Sequence, residues 1–219
     1  MDLTAEQEHA RGPDRDLHRD SGGAVSLAIH HCSKPVVAAI NGSAVGVGIT
    51  MTLAANVRVV SKSAKIGFVF GRRGFNMEGC SSFYLPRLVG MSRALHLTST
   101  GAVYPANHKL LDNLFSEVVP ADEVLSTAIG IAEDIASNVS QVASRVMKDM
   151  MFRGPSSPEE AHLLESKVFY DLSQGRDAKE GIDSFLQKRN PDFRGTLDED
   201  APSVFPWWTA KDVVVKSKI

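Results

Sequence analysis

One stretch, residues 34–55, most constrains what this chain can fold into. It reads Lys-Pro-Val-Val-Ala-Ala-Ile-Asn-Gly-Ser-Ala-Val-Gly-Val-Gly and continues as a run of small and apolar residues. The β-branched run behind Pro35 predicts a buried strand, and the Asn-Gly pair predicts the tight turn that ends it. Gly46 and Gly48 then lead into a compact predicted helix. Because the first N–H groups of a helix have no acceptor within it, such a turn predicts a backbone site for an anion or a polarised oxygen.

The glycine spacing limits which ligand this turn can hold. A phosphate-binding loop would place a lysine and a hydroxyl residue after its last glycine, and a dinucleotide fingerprint would need a six-residue glycine pattern. Neither is present in residues 40–55. The remaining functional interpretation is an oxyanion hole, in which N–H groups stabilise a carbonyl oxygen as it gains negative charge. The alternative is that the glycines only allow a helix to pack closely on a strand.

Composition indicates a globular chain with one core. Its 219 residues are 43% hydrophobic and 23% charged, and the formal net charge of −2 argues against a nucleic-acid partner. No window approaches the roughly 18 to 20 apolar residues of a membrane span, so no membrane partner is predicted. The two cysteines, Cys32 and Cys80, form no Cys-x-x-Cys motif. We therefore predict a reducing compartment and no metal site.

Several further motifs follow the turn in a fixed order. They are Ser63-Ala64-Lys65-Ile66-Gly67, Glu78-Gly79-Cys80-Ser81-Ser82, Leu85-Pro86-Arg87-Leu88-Val89-Gly90, Thr100-Gly101, Glu117-Val118-Val119-Pro120 and Glu180-Gly181-Ile182-Asp183-Ser184-Phe185-Leu186-Gln187-Lys188-Arg189. Together with residues 34–48 they resemble the crotonase superfamily, the enoyl-CoA hydratase/isomerase family. The resemblance covers about residues 1–195.

The resemblance implies an α/β fold with a crotonase-like ββα spiral core. It implies that residues 1–120 form this core, that residues 121–190 form a C-terminal helical trimerisation region, and that residues 191–219 form a tail. Family members carry further residues ahead of Met1, so we expect the core to be N-terminally incomplete, with its first turns missing. A homotrimer or a hexamer is the expected assembly.

Glu78 is the expected catalytic residue. Hydratases of this superfamily use two glutamates, and the matching positions here are Thr50 and Phe70, neither of which can act as a base near neutral pH. The resemblance is closest to the type-two peroxisomal Δ3-Δ2-enoyl-CoA isomerases, which place a single catalytic glutamate where Glu78 stands. The alternative is a carboxylate that only caps the helix after it, where the helix dipole favours a negative charge.

Further site residues are implied by the same resemblance. The backbone N–H groups of Val47 and Met1 are the expected oxyanion donors. The expected substrate-binding residues are Asp2, Leu3, Gly46, Gly48 and Phe70. Coenzyme A is part of the acyl-CoA substrate, and no separate cofactor is expected. A terminal amine at Met1 would be a poor donor, and losing one donor costs about 10²- to 10³-fold in rate, so we expect weak activity.

The expected reaction is isomerisation of a 3-enoyl-CoA to a 2-enoyl-CoA. One carboxylate removes a proton from C2 and returns it at C4 while N–H donors hold the dienolate oxygen. The first alternative is an enoyl-CoA hydratase, serving fatty-acid breakdown or acyl-chain assembly in secondary metabolism. The second alternative is a non-catalytic truncated subunit that assembles with full-length relatives.

The C-terminal part of the sequence predicts four helices and a targeting signal. Helices are expected over residues 122–138, 140–151, after Ser157 and after Asp177, with apolar stripes on their buried faces. The stripe of the last helix is expected to be Ile182, Phe185 and Leu186. The final residues, Ser217, Lys218 and Ile219, resemble the Ser-Lys-Leu peroxisomal signal. They predict peroxisomal localisation and binding of the peroxisomal import receptor.

Overall fold

Two small sheets form the centre of the molecule, and the computed structural model describes residues 18–213. The strands in chain order are β1 (Val37–Ile40), β2 (Ala44–Val45), β3 (Val57–Ser61), β4 (Lys65–Gly67), β5 (Val103–Pro105) and β6 (Glu117–Val119). The first sheet has the order β1-β3-β6 and is parallel, with Val37 opposite Val57 and Val59 opposite Glu117. Its middle strand is buried because neighbours pair with it on both sides.

The second sheet positions the glycine-rich turn. Strand β2 pairs with β4 in parallel, with Ala44 opposite Ile66, and β4 pairs with β5 in the antiparallel sense. Just beyond β2, the N–H of Gly46 donates to the carbonyl of Gly67 at 2.9 Å, so the turn is fixed to the edge of this sheet. The predicted order of strand, tight turn and helix is therefore present.

Nine α-helices occur among residues 18–213. They are α1 (Ser21–His31), α2 (Val47–Thr50), α3 (Ser81–Val89), α4 (Met91–Thr100), α5 (Val124–Asn138), α6 (Gln141–Arg153), α7 (Pro158–Ser173), α8 (Arg176–Gln187) and α9 (Leu197–Asp200). Helix α7 begins as predicted, with the Ser157 hydroxyl accepting from the Glu160 N–H at 3.2 Å. The expectation of an α/β core followed by a helical C-terminal region is thus confirmed.

The main core lies between the second sheet and helices α2 to α4. Its largest fully buried side chains include Ile49, Leu53, Ile66, Phe68 and Leu85. Burial of this apolar surface fixes the short helix α2 and the start of α3, which flank the candidate site. None of the helices in the described chain combines the length and apolar content that crossing a bilayer requires.

Helix α6 holds the C-terminal end of α1. The guanidinium of Arg145 donates to the carbonyls of His31 and Cys32, both at 2.8 Å, and Lys148 Nζ donates to the carbonyl of Ile29 at 3.1 Å. Ile29 and His31 lie in the last turn of α1 and Cys32 follows it, so these bonds satisfy carbonyls at a helix end, where partners within the helix run out. Buried Asp149 balances the charge of Arg145 at 2.6 Å.

The predicted buried stripe of the last C-terminal helix is wrong for this chain taken alone. Ile182, Phe185 and Leu186 on α8 are 60, 82 and 71% exposed. The apolar period identified the helix correctly, but the face points away from the chain's own core. In contrast, Val142 and Val146 on α6 are buried as predicted.

The C-terminal tail packs on this helical region as an arm. The Trp207 indole Nε1 donates to the carbonyl of Arg153 at 3.0 Å, and the Arg153 guanidinium lies 4.4 Å from the centre of the Trp208 ring. Phe205 and Trp207 pack against the cluster formed by buried side chains of α6 and α7. The N–H and hydroxyl of Ser203 also donate to one carboxylate oxygen of Asp171.

Candidate active site

The turn before α2 carries the residues that the sequence predicts as an oxyanion site. Gly46 has a φ of +60°, a conformation that favours glycine, and its carbonyl accepts from the N–H groups of Ile49 and Thr50 at 3.1 Å. The N–H groups of Val47 and Gly48 come at the start of α2, where a helix offers no internal acceptor. Both residues line a cavity of about 520 Å³.

The other walls of this cavity come from β1 and the turn after it. They include the polar side chains of Asn41, Ser43 and Thr52. The cavity therefore combines backbone at the start of a helix with neutral polar groups and small apolar side chains.

The Glu78 side chain is bonded to helix α2. The Thr50 hydroxyl donates to Glu78 Oε1 at 2.5 Å, and Thr50 itself is fully buried while Glu78 is half-buried. The family resemblance places Thr50 at a position where hydratases carry one of their two glutamates. The structure adds that its hydroxyl fixes the carboxylate that is present.

Gly22, in the first turn of α1, contacts the same carboxylate. A Cβ at this glycine would lie 1.7 Å from Glu78 Oε2 and 3.2 Å from Val47 Cγ2. The carboxylate therefore occupies the space that a side chain at residue 22 would fill, beside the residue that begins α2. The Glu78 carboxylate therefore lies near the side chain of Val47, although Glu78 is not among the residues that line the 520 Å³ cavity.

Asp20 connects the segment that carries Glu78 to helix α1. Its Oδ1 accepts from the N–H of Gly23 at 2.5 Å and from the N–H of Gly79 at 3.1 Å. Burial, followed by the charges of Asp20 and Glu78, raises the pKa of the Cys80 thiol, which keeps the thiol neutral beside the two acids. Our sequence analysis did not identify Asp20. The available sequence signal was an aspartate directly before a predicted helix, since aspartate is a preferred N-cap residue.

Phe70 lies next to the turn without offering a charge. It begins a 3₁₀ helix (Phe70–Arg73), is half-buried, and its ring lies 3.9 Å from the point where a Cβ of Gly46 would stand. An aromatic ring thus stands at the position that the family comparison assigned to the second hydratase glutamate. No cluster of three or more potential metal ligands was found in residues 18–213.

A larger cavity lies away from Glu78. It has a volume of about 890 Å³ and is lined mainly by apolar side chains of α6, α7 and α8, among them Met147, Met150 and Phe169. Size alone would rank it first as a binding site. Its lining also includes Glu165, Asp177, Asp200 and the start of α8 at Gly175 and Arg176, but it contains neither Glu78 nor any residue of the Gly46–Gly48 turn.

Six predicted site residues lie outside the described residues. They are Met1, Asp2, Leu3, Ser217, Lys218 and Ile219. The second oxyanion donor, the two substrate contacts and the targeting signal therefore stay predictions.

Comparison with known proteins identifies the family. The family model for enoyl-CoA hydratase/isomerase matches residues 1–196. The chain is 55% identical over 191 residues to the enoyl-CoA hydratase AFT3-1 of Alternaria alternata, covering 87% of this chain and 64% of that relative. It is 34% identical over 169 residues to a probable enoyl-CoA hydratase of Rhodobacter capsulatus, covering 77% and 65%. The chain thus spans just under two thirds of the length of these relatives.

Solved structures agree with this result. A probable enoyl-CoA hydratase/isomerase from Mycobacterium abscessus superposes with a TM-score of 0.80 at 30% identity, covering 90% of this chain and 76% of that one. The enoyl-CoA hydratase of Bacillus anthracis gives a TM-score of 0.75 at 28% identity, covering 86% and 74%. This chain belongs to the enoyl-CoA hydratase/isomerase family of the crotonase superfamily.

Proposed function

We propose that the protein transfers protons at C2 of an unsaturated acyl-CoA thioester and that its main reaction is hydration of a 2-enoyl-CoA. The observation that carries this proposal is the position of the Glu78 carboxylate, bonded to Thr50 and adjacent to Gly22 and Val47. A carboxylate beside backbone oxyanion donors is the arrangement that forming and reprotonating a thioester enolate needs. The names of the relatives support hydration over isomerisation.

In the proposed reaction Glu78 acts first as base and then as acid. It takes a proton from a water molecule whose oxygen bonds to C3, and the electron pair of the double bond moves to the thioester oxygen. The N–H of Val47 donates to that oxygen as it becomes negative. Protonated Glu78 then returns the proton to C2, so that one water molecule has been added across the double bond.

Isomerisation is the second candidate because the site supplies a single glutamate where hydratases of the family carry two. The expected positions of that pair hold Thr50 and Phe70. Glu78 would remove a proton from C2 of a 3-enoyl-CoA and return it at C4. The same carboxylate serves both reactions, and the difference is whether a water molecule stands between Glu78 and the substrate. The sequence resemblance to type-two isomerases at Glu78 supports this second candidate.

Replacement of Glu78 by glutamine tests the proposal. Glu78→Gln keeps the size of the side chain and removes the base, so both reactions should slow by at least about 10²-fold. Absorbance of the conjugated thioester measures them, since hydration of a 2-enoyl-CoA lowers it and isomerisation of a 3-enoyl-CoA raises it. Glu159→Gln, at an exposed position of α7, is the matched control and should keep the full rate.

Four outcomes decide between the alternatives. Loss of 2-enoyl-CoA absorbance supports hydration, and a gain with the 3-enoyl-CoA supports isomerisation. Unchanged rates in Glu78→Gln would exclude Glu78 as the acid and base. A folded chain that turns over neither substrate would favour the non-catalytic subunit.

We also propose self-association through the helical C-terminal region, as a homotrimer or a hexamer. The support is the apolar surface on α6, α7 and α8, where Met151, Phe169 and Phe185 are 79, 74 and 82% exposed. Peroxisomal delivery through Ser217 to Ile219 is part of the proposal and rests on sequence alone.

A further inference from the structure

Asp20 makes one contact that helix capping does not require. Its bond to the N–H of Gly23 is the ordinary contact of an N-cap residue with the third residue of its helix. Its bond to the N–H of Gly79 reaches across 59 positions of sequence to the residue that follows Glu78. One carboxylate oxygen, Oδ1, accepts both bonds.

The segment around Glu78 needs such a fixed point. Gly79 and Cys80 have φ values of +65° and +55°, so two successive residues adopt the left-handed conformation. For Cys80 this conformation is uncommon and needs support from its surroundings. The N–H and hydroxyl of Ser81 both bond to the carbonyl of Glu78, at 3.1 and 2.5 Å. Asp20 holds the same turn through the N–H of Gly79.

The hydrogen bond between Asp20 and the Gly79 N–H, which we call the tether, also limits where the Glu78 carboxylate can lie. Gly79 is buried, so leaving its N–H without an acceptor would be unfavourable. While Asp20 holds this N–H, Glu78 stays at the first turn of α1, where its Oε2 meets Gly22 and its Oε1 meets the Thr50 hydroxyl. If the bond were lost, the turn could move away from α1 and carry the carboxylate with it.

We infer that Asp20 is a positioning residue for Glu78, acting through the N–H of Gly79. The inference rests on the proposed function, because it assumes that Glu78 moves protons. Asp20 itself transfers no proton. Its role is to set the distance between the carboxylate and the backbone of the Val47 turn.

Three substitutions separate positioning from helix capping. Asp20→Ser keeps a good N-cap for α1, but its side chain is too short to reach both N–H groups. Asp20→Asn keeps an oxygen at the Oδ1 position and removes the charge. Asp20→Ala removes both contacts. Serine should therefore lose only the tether, asparagine should keep both bonds, and alanine should lose the cap as well.

The expected result is a change of kcat that stability does not follow. Asp20→Ser should keep the unfolding temperature close to that of the wild type and lower kcat about 10- to 100-fold, with little change in KM, because a small displacement of a catalytic group costs about this much. Asp20→Asn should restore most of kcat. Wild-type kcat in Asp20→Ser, or an equal loss in Asp20→Asn, would overturn the inference.

Hydrogen exchange of the Gly79 amide tests the tether without any substrate. The amide should be protected in the wild type and in Asp20→Asn, and it should exchange faster in Asp20→Ser. If the tether is present while the wild type turns over neither thioester, the proposed function fails and the structural contact stands. Equal protection in wild type and Asp20→Ser would remove the contact itself.

Discussion

At the scale of single residues, an absent side chain defines the candidate site. Gly22 is the second residue of α1 and has no side chain to project from the helix surface. The space over its Cα is occupied by the Glu78 carboxylate. The missing side chain at residue 22 therefore lets an acid approach the backbone of α1.

Gly22→Ala should remove activity without unfolding the protein. The new methyl group would coincide with Glu78 Oε2, so the carboxylate must leave its position and both proposed reactions should slow by about 10²-fold. Rates with the two thioesters and the unfolding temperature are the measurements. Gly130→Ala is the control, because Gly130 lies exposed in α5 and nothing stands within 4 Å of its Cβ position. A Gly22→Ala enzyme with the wild-type rate would contradict the placement of Glu78.

Sequence reasoning identified some of these residues and missed others for a clear physical reason. The turn at Gly46 and the helix after it are local patterns, so residues 34–50 were sufficient to predict them. Glu78 came from the family resemblance. Gly22 and Asp20 were missed because their contacts join positions more than fifty residues apart, and neither a glycine nor a cap signal shows what will pack against it.

At the scale of elements, α1 is fixed at both ends. Its first turn meets Asp20 and Glu78, and its last carbonyls receive Arg145 and Lys148 of α6. In its last turn, buried His30 lies within hydrogen-bond distance of Tyr84, with 2.8 Å between its Nδ1 and the Tyr84 hydroxyl. Helix α1 thereby connects the core helix α3 with the C-terminal helical region.

His30 should make the protein less stable in mild acid. Burial, followed by the charge of Arg153, lowers the pKa of His30 to about 4 from its ordinary value of 6.5. Between these two pH values the unfolded chain binds a proton that the folded chain does not, so this histidine's contribution is intact above pH 6.5 and is lost as the pH falls toward 4. Burial also lowers the pKa of His31, which acts in the same direction.

Urea unfolding between pH 7 and pH 4.5 measures this effect. His30→Gln removes the titrating group, so its free energy of unfolding should fall less across this range than that of the wild type. His162→Gln, at an exposed position of α7, should leave the slope unchanged. Parallel curves for wild type and His30→Gln would show that His30 does not titrate differently on folding.

At the scale of the whole molecule, the apolar face of α8 remains uncovered by the described chain. The sequence predicted this stripe correctly as apolar and wrongly as core, because the helical period is the same whether a face meets its own core or a second chain. Phe185 at 82% exposure is the clearest case. This exposed face supports the proposal of an oligomer of identical chains.

Phe185→Asp should weaken self-association. A charge in the middle of an apolar contact cannot be desolvated cheaply, so the measured mass should shift toward that of the monomer. Light scattering on a sizing column measures it at several concentrations. Leu125→Asp, on α5 and 63% exposed, should leave the mass unchanged. A wild-type chain that is monomeric at all concentrations would contradict the proposal.

The C-terminal arm gives the protein a built-in optical probe. The sequence contains two tryptophans, and both of them, Trp207 and Trp208, lie in the arm against Arg153. Intrinsic tryptophan fluorescence therefore reports whether the arm is packed on α6. A change at Glu78 should alter the emission only if it also changes the packing of α1 and α6. Comparing emission with circular dichroism during unfolding would show whether the arm detaches before the helices melt.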